Sequence, residues 1–291
     1  MTILADPGLL DSPSASVIYL EPDDYLAWFG GQLARAPNAH GQMLDLAGPW
    51  VPGQHVALVG RTREGKTNYA LWIMSLRTWV MALDPKGEDD TLTAGGYERV
   101  RAVPPFEASL RVRYQDRRQW QQIDRRIADG LPVRIIAGLQ TRTRRQDAAN
   151  RQLMESAIEF VRQSTGWTFY VDEYQILADG RMYGLGPNVE RMLISAARDK
   201  VSVITAFQAP AWVPKASTRQ ATIIVCWRTR DRRMIQTVAE AAGRDWHEVA
   251  AILDELPKYY TLTLPDDLRA PMVITKPPLI GNRSSDVSKA N

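Results

Sequence analysis

Short apolar runs recur along the chain, separated by longer polar stretches. His55 to Gly60, Trp79 to Leu83, Val133 to Ala137, Trp167 to Val171, Val201 to Ala206, Thr222 to Trp227 and Tyr259 to Leu264 are nearly continuous in apolar residues. Continuity rather than alternation predicts strands buried on both faces. Between several of them lie stretches of helical periodicity, notably Gln146 to Gln163 and Pro187 to Arg198. Such alternation predicts the α/β class: a mainly parallel sheet covered by helices on both faces. Upstream, Val17 to Ala36 predicts a short strand and a helix opened by Asp23 and Asp24, because acids suit a helix N-terminus. The Pro/Gly-rich connection A-G-P-W-V-P-G-Q then leads into the first clear strand. Residues 1–16 and the tail from Pro277 are polar, without periodicity, and are expected to lack regular structure. No internal repeat is evident.

The length of 291 residues suits one large domain or two small ones, and 45% hydrophobic with 24% charged residues is ordinary for a globular protein. No apolar run approaches the ~18 residues of a membrane span; Ala70 to Leu83 comes nearest and Arg77 interrupts it. The opening residues offer neither a basic nor an apolar leader segment, so a cytoplasmic protein is expected. Cys226 is the lone cysteine and reads as a small buried hydrophobe, and His40, His55 and His247 are too scattered for a zinc site.

Net charge is +3, but its distribution is uneven. Residues 1–54 hold six acids against Arg35, whereas residues 98–151 hold thirteen arginines against six acids, a local charge of +7. Guanidinium forks match phosphate oxygens, so nucleic acid is one natural partner; solvated helix faces are the plain alternative. The nine tryptophans and ten tyrosines scatter rather than forming a stacking platform, which places most of them in the core or at subunit contacts.

Two motifs carry chemistry. Gly60-Arg61-Thr62-Arg63-Glu64-Gly65-Lys66-Thr67 is a full G-x-x-x-x-G-K-[ST] phosphate loop, with an apolar strand before it and a helix-compatible stretch after it. Glycines there let backbone N–H groups wrap phosphate oxygens without Cβ clashes. Lys66 would reach the β- and γ-phosphates, and the Thr67 hydroxyl would ligate Mg²⁺. The second motif is Asp172-Glu173, at the end of the apolar run Thr168 to Val171. An Asp beside a phosphate loop can hold Mg²⁺ through its water shell, and the following Glu can polarise the attacking water. In isolation the pair could merely open a loop; together with the phosphate loop it points to ATP hydrolysis.

These motifs stand in order with two more. Trp79 to Leu83 is followed by Asp84-Pro85-Lys86-Gly87-Glu88, and Val203 to Phe207 is followed by Gln208-Ala209-Pro210. The whole arrangement resembles the FtsK/HerA family of ATP-driven DNA translocases, which includes conjugative coupling proteins and viral genome-packaging ATPases. The resemblance spans roughly residues 45–265. It implies a RecA-like motor domain over 46–268, an N-terminal extension over 1–45 and a C-terminal tail over 269–291. Gln208 would sense the γ-phosphate, Asp84 and Lys86 would support the second strand of the phosphate site, and ATP and Mg²⁺ would be the cofactors.

The resemblance further implies a homo-oligomeric ring, a hexamer or pentamer, in which a neighbour's arginine completes each site. Arg198 is the first choice, with Arg219 and Arg228 next and Arg142, Arg144 and Arg145 as outside candidates. Arg198 is shifted by one position from the family pattern. Double-stranded DNA would thread the ring. Arg142, Arg144 and Arg145, in the polar run Thr141 to Gln146, are the first candidates for contact with its backbone. Arg230, Arg232 and Arg233 form a second basic cluster. A capsid portal or vertex protein is a further expected partner, and host cytoplasm or virion the expected location, if the chain is virus-encoded. Two rivals remain: an assembly or morphogenesis ATPase acting on protein partners, and a nucleotide-binding structural protein with little turnover, against which Asp172-Glu173 counts.

Overall fold

Strand residues that alternate between two apolar environments require a layer on each side, and the computed structural model of the chain has this form. It describes residues 17–279 except 34, 38–40, 47, 88, 105, 107–112 and 140–142, and no side chain at 45, 144, 145 or 196. The strands are β1 (Val17–Tyr19), β2 (Arg35–Pro37), β3 (Met43–Asp45), β4 (Val56–Val59), β5 (Trp79–Leu83), β6 (Glu98–Val100), β7 (Val133–Ala137), β8 (Thr168–Val171), β9 (Ser202–Phe207), β10 (Ile223–Cys226), β11 (Thr261–Pro265) and β12 (Met272–Thr275). The helices are α1 (Pro22–Phe29), α2 (Lys66–Met74), α3 (Asp90–Ala94), α4 (Tyr114–Ala128), α5 (Arg144–Arg162), α6 (Tyr174–Ala178), α7 (Gly186–Ser195), α8 (Ala216–Arg219), α9 (Arg232–Ala241) and α10 (Trp246–Glu255).

Ten strands form one sheet in the order β1-β12-β11-β10-β4-β9-β8-β5-β7-β6, while β2 and β3 make a separate antiparallel pair. From β10 to β6 every neighbouring pair is parallel. The antiparallel steps are β10–β11 and β11–β12. The mainly parallel expectation therefore holds, with an antiparallel margin that the apolar runs did not reveal.

Along β4, Ala57 and Val59 join one core while Val56 and Leu58 join the other; β5 splits Met81 and Leu83 from Val80 and Ala82 in the same way. This period of two sorts a parallel strand between two covered faces. Helices α4, α5, α7, α9 and α10 cover one face, and α1, α2 and α3 the other. The second face is rich in aromatics: Tyr25 of α1 stacks on Trp72 of α2 with ring centres 5.1 Å apart, and Tyr69 meets Trp227 edge-on at 5.7 Å. The Tyr25 hydroxyl bonds Thr263 of β11 at 2.8 Å and also meets the Tyr69 hydroxyl. Helix α1 thus braces the helix that leaves the phosphate loop. The sheet also reaches past the expected 46–268 motor on both sides, since β1 pairs with β12 and both lie outside those bounds. Cys226 is buried, as expected, and burial pushes its thiol up to about 12. Among the described residues no helix is long and apolar enough to cross a membrane.

His55 ties the start of β4 to both neighbours. Its Nε2–H donates to the Leu193 carbonyl at 3.0 Å, and its Nδ1 accepts the Val203 N–H at 3.1 Å. Burial lowers its pKa to about 4. Between about pH 6.5 and 4 the unfolded chain binds the proton that the folded one refuses, so this contribution is present above 6.5 and lost as pH falls through 4. Asp172 acts in the opposite direction: burial raises its pKa to about 7, so its ionisation costs folding energy as pH rises through that value. The clean readout is therefore a difference. By urea unfolding, the stability margin of wild type over His55→Gln shrinks by about 3 kcal/mol between pH 7 and pH 4; a margin independent of pH would contradict this role.

Candidate nucleotide-binding site

Parallel strands that leave a sheet at the same end bring their following loops together. Here β4 delivers Gly60, β5 delivers Asp84, β8 delivers Asp172 and Glu173, and β9 delivers Gln208, all at one edge and from four adjacent strands. These residues, far apart in the chain, form one cluster.

The loop after β4 folds as its glycines require. Gly65, the residue before α2, has φ 95°, a left-handed conformation that side chains resist. At Gly60 a Cβ would stand 2.8 Å from Glu64 Oε2 and 2.9 Å from the Trp227 ring. Lys66 opens α2, is only 7% exposed, and donates to the carbonyls of Gly60 and Arg61, both at 2.8 Å. Burial lowers its pKa, while Glu173, Asp172 and Glu64 pull it back up. Glu64 folds inward so that its Oε2 accepts the Arg61 N–H at 2.6 Å, and burial raises its pKa. The loop is therefore an amide-rich cradle whose own carboxylate occupies one of the amides.

Asp172 is buried and accepts the Tyr170 hydroxyl at 2.7 Å. Thr67, one residue after Lys66 at the start of α2, also lies near the Tyr170 hydroxyl, so one tyrosine stands between Thr67 and Asp172. Burial is the main cause of the raised Asp172 pKa, with Asp89, Glu173 and Asp84 adding negative charge around it. A carboxylate in such surroundings is a seat for a cation. Among the described residues no group of three or more His, Cys, Asp or Glu converges to form a full metal cage. One carboxylate with a hydroxyl suits Mg²⁺, which keeps waters and takes its other ligands from phosphate.

Glu173 has φ 45°, an uncommon conformation for a residue with a side chain, at the turn from β8 into α6. Its Oε1 accepts Lys86 Nζ at 3.2 Å. Its Oε2 accepts Gln208 Nε2 at 3.4 Å and Gln175 Nε2. The structure thus joins Glu173 to the Gln208 element and to the D-P-K-G turn. Asp84 is buried and accepts the N–H groups of Gly87 and Asp89, each at 2.9 Å, and an Arg99 guanidinium at 3.0 Å. These contacts engage its carboxylate within its own turn and with Arg99. Glu88 lies outside the described residues.

The arginines divide. Arg198, exposed in a short turn over Ala196–Asp199, precedes β9, and Arg219 precedes β10, so both stand at the sheet end opposite Gln208 and Glu173. Arg228 follows β10 and stands beside the phosphate loop. Arg230 pairs with Asp254 at 2.5 Å, Arg232 lies over the Trp246 ring, and Arg233 is exposed. Arg142 lies outside the described residues; Arg144 and Arg145 begin α5, with side chains likewise outside the description. Elsewhere in the Arg-rich segment several guanidiniums are structural. Arg99 holds Asp84 and the Gly138 carbonyl, Arg126 holds Glu98, and Arg134 holds the Thr78 carbonyl. Exposed in the same segment, among the described residues, are Arg101, Arg113, Arg117, Arg118, Arg125 and Arg151, of which Arg117 lies over the Phe106 ring.

Sequence reasoning did not find Tyr170 or Gln175, nor a cavity of about 420 Å³ on the β10 side of the phosphate loop. Arg61, Glu64, Trp227, Arg228, Lys258 and Tyr259 are among its lining. Asp172 and Glu173 lie on the other, β9 side. Only the spacing of Gln175, two residues after Glu173, carried any hint in the sequence.

No protein-family profile matches the chain, and no curated protein matches it by sequence. Solved structures do match in fold. The genome packaging NTPase B204 from Sulfolobus turreted icosahedral virus 2, in complex with AMP, aligns with 79% of this chain and 100% of its own at 15% identity and a TM-score of 0.50. VirB4 of Thermoanaerobacter pseudethanolicus aligns with 82% of this chain and 94% of its own at 12% identity and a TM-score of 0.53. The chain thus shares the fold of these proteins, a mainly parallel central sheet covered by helices, in keeping with the resemblance that its motifs carry.

Proposed function

We propose that the chain is an ATP-driven motor that moves double-stranded DNA as a homo-oligomeric ring, in the service of packaging a viral genome. The observation that carries the reading is the convergence of Lys66, Thr67, Asp172, Glu173 and Gln208 at the carboxyl ends of adjacent parallel strands. Hydrolysis of the γ-phosphate needs charge neutralisation, an aligned water and an acceptor for its proton. Lys66 supplies the buried positive charge, and the backbone of residues 60–65 wraps the phosphates. Thr67 and Asp172 would hold Mg²⁺, which when bound neutralises charge on the phosphates. Glu173 orients the water and takes its proton, and Gln208 sets the position of Glu173. The cavity lined by Arg61, Trp227 and Tyr259 takes the nucleoside end.

Arg198 stands too far around the sheet to serve its own site, which suits a cation given to a neighbour's γ-phosphate; such a group contributes ~10³–10⁵ in rate. Exposed arginines of α4, with Arg142, Arg144 and Arg145, give DNA a sequence-independent grip. The fold likeness to a packaging NTPase and to VirB4 supports this reading. The chain acts inside the host cell or virion, with a capsid portal or vertex protein as its docking partner. Steady-state ATP hydrolysis with and without linear double-stranded DNA tests it. A DNA motor is stimulated by duplex, and the stimulation fades as salt rises. Hydrolysis indifferent to DNA at low and high salt would transfer the function to a protein-directed assembly ATPase.

A further inference from the structure

The D-P-K-G turn holds one side chain that the proposed chemistry leaves unused. Its aspartate is fully engaged, accepting two backbone N–H groups and a guanidinium. Its proline carbonyl is fixed as well, accepting the Tyr183 hydroxyl at 2.9 Å and Asn150 Nδ2 at 3.3 Å. Lys86 stands between these two anchored groups and Gly87, on a rigid turn, with its side chain half exposed at 52%. Its ammonium is aimed at one place, Glu173 Oε1 at 3.2 Å.

Two consequences follow from that contact. First, Glu173 has both oxygens occupied, Oε1 by Lys86 and Oε2 by Gln175 and Gln208. While Lys86 holds Oε1 and the two glutamines hold Oε2, the carboxylate is tied to the protein on both sides and is not turned to a water. Second, Glu173 follows β8, two strands along the sheet from the β4 strand that leads into the phosphate loop, so its partner Lys86 is carried to the same edge as Lys66. Two ammoniums thus share one edge of the sheet with the phosphate loop, an arrangement that suits a multiply charged anion. A half-exposed ion pair is weak and readily exchanged for a stronger partner, and a terminal phosphate offers more negative charge than one carboxylate.

Resting on the ATPase reading above, we propose that Lys86 is a γ-phosphate-responsive clamp. In the nucleotide-free protein it holds Glu173. When a nucleoside triphosphate binds, the terminal phosphate takes the ammonium and Glu173 is released to the water. A diphosphate has no group at that position and leaves the clamp closed, so the pair separates triphosphate from diphosphate.

The test compares wild type, Lys86→Ala and Lys86→Arg in equilibrium binding of ADP and of a non-hydrolysable ATP analogue, with kcat and KM for ATP measured alongside. In Lys86→Ala, ADP affinity stays within about twofold, analogue affinity falls about tenfold and kcat falls about 10–100-fold. Lys86→Arg recovers most of the triphosphate preference, because it keeps the charge on the same anchored turn. Equal changes for ADP and the analogue, unchanged analogue affinity, or a kcat that rises in Lys86→Ala would each overturn the clamp. Should wild type hydrolyse ATP in a Glu173-dependent manner while Lys86→Ala behaves identically, the clamp fails and the ATPase stands. Should wild type bind no triphosphate, both fall.

Discussion

Glu173→Gln lowers the rate of ATP hydrolysis by about 10²–10⁴-fold while nucleotide affinity stays within about threefold of wild type. The size of the effect follows from the position of the carboxylate. Among the described residues, Glu173 is the acid at this edge whose side chain meets the Gln208 element, the α6 residue Gln175 and the D-P-K-G turn together. An amide of the same shape keeps the packing but cannot take a proton from water. It also offers one acceptor oxygen where three donors converge, so Lys86 and the two glutamines lose a common partner. Single-turnover hydrolysis together with binding of a fluorescent nucleotide measures both halves of this expectation. A variant that retained more than about a tenth of wild-type turnover would remove Glu173 from the chemistry.

Lys66→Ala acts at the earlier step, and its largest effect is on binding. The ammonium is buried, desolvated and held in its charged form by Glu173, Asp172 and Glu64. Its removal leaves those carboxylates unopposed around the place where phosphates must sit, so an anion meets repulsion as well as the loss of its own cation. Triphosphate affinity is expected to fall about 10²–10³-fold. Stability changes little in comparison, because the alanine no longer requires burial of a charge, which offsets the loss of the bonds to the Gly60 and Arg61 carbonyls. Calorimetric titration with a slowly hydrolysed ATP analogue decides the point. Affinity within about threefold of wild type would mean that the phosphates lie elsewhere.

The phosphate loop and Asp172-Glu173 were legible because chemistry restricts the residue types at fixed spacing, and the apolar runs around them are long enough to read as strands. Helix α5 was legible too, expected over Gln146 to Gln163 and found over Arg144–Arg162, with Thr143 accepting the Gln146 N–H at its start. Less legible were elements whose reason lies elsewhere in the chain. Strand β12 is four residues long and stands between its neighbour β11 and β1, which lies more than 250 residues earlier in the chain. Helix α4 buries only Trp120 and Ile123 among many charged residues, so its periodicity is faint and its arginines draw the eye first. Part of that positive charge proved to be spent inside the fold, on Asp84, Glu98 and backbone carbonyls. The contact between Lys86 and Glu173 crosses from the end of β5 to the end of β8, neighbours in the sheet but not in the sequence. Local pattern identified the chemistry; the order of the strands assembled it.

The central claim is that hydrolysis at this edge of the sheet drives movement along duplex DNA. ATP-dependent displacement of a third strand annealed to a linear duplex measures it most directly, with Glu173→Gln as the control that binds but does not turn over. Displacement by wild type that requires ATP, fades with rising salt and is absent in Glu173→Gln is the predicted result. A wild-type protein that hydrolyses ATP through Glu173 yet never displaces the strand, at any salt concentration, would contradict it.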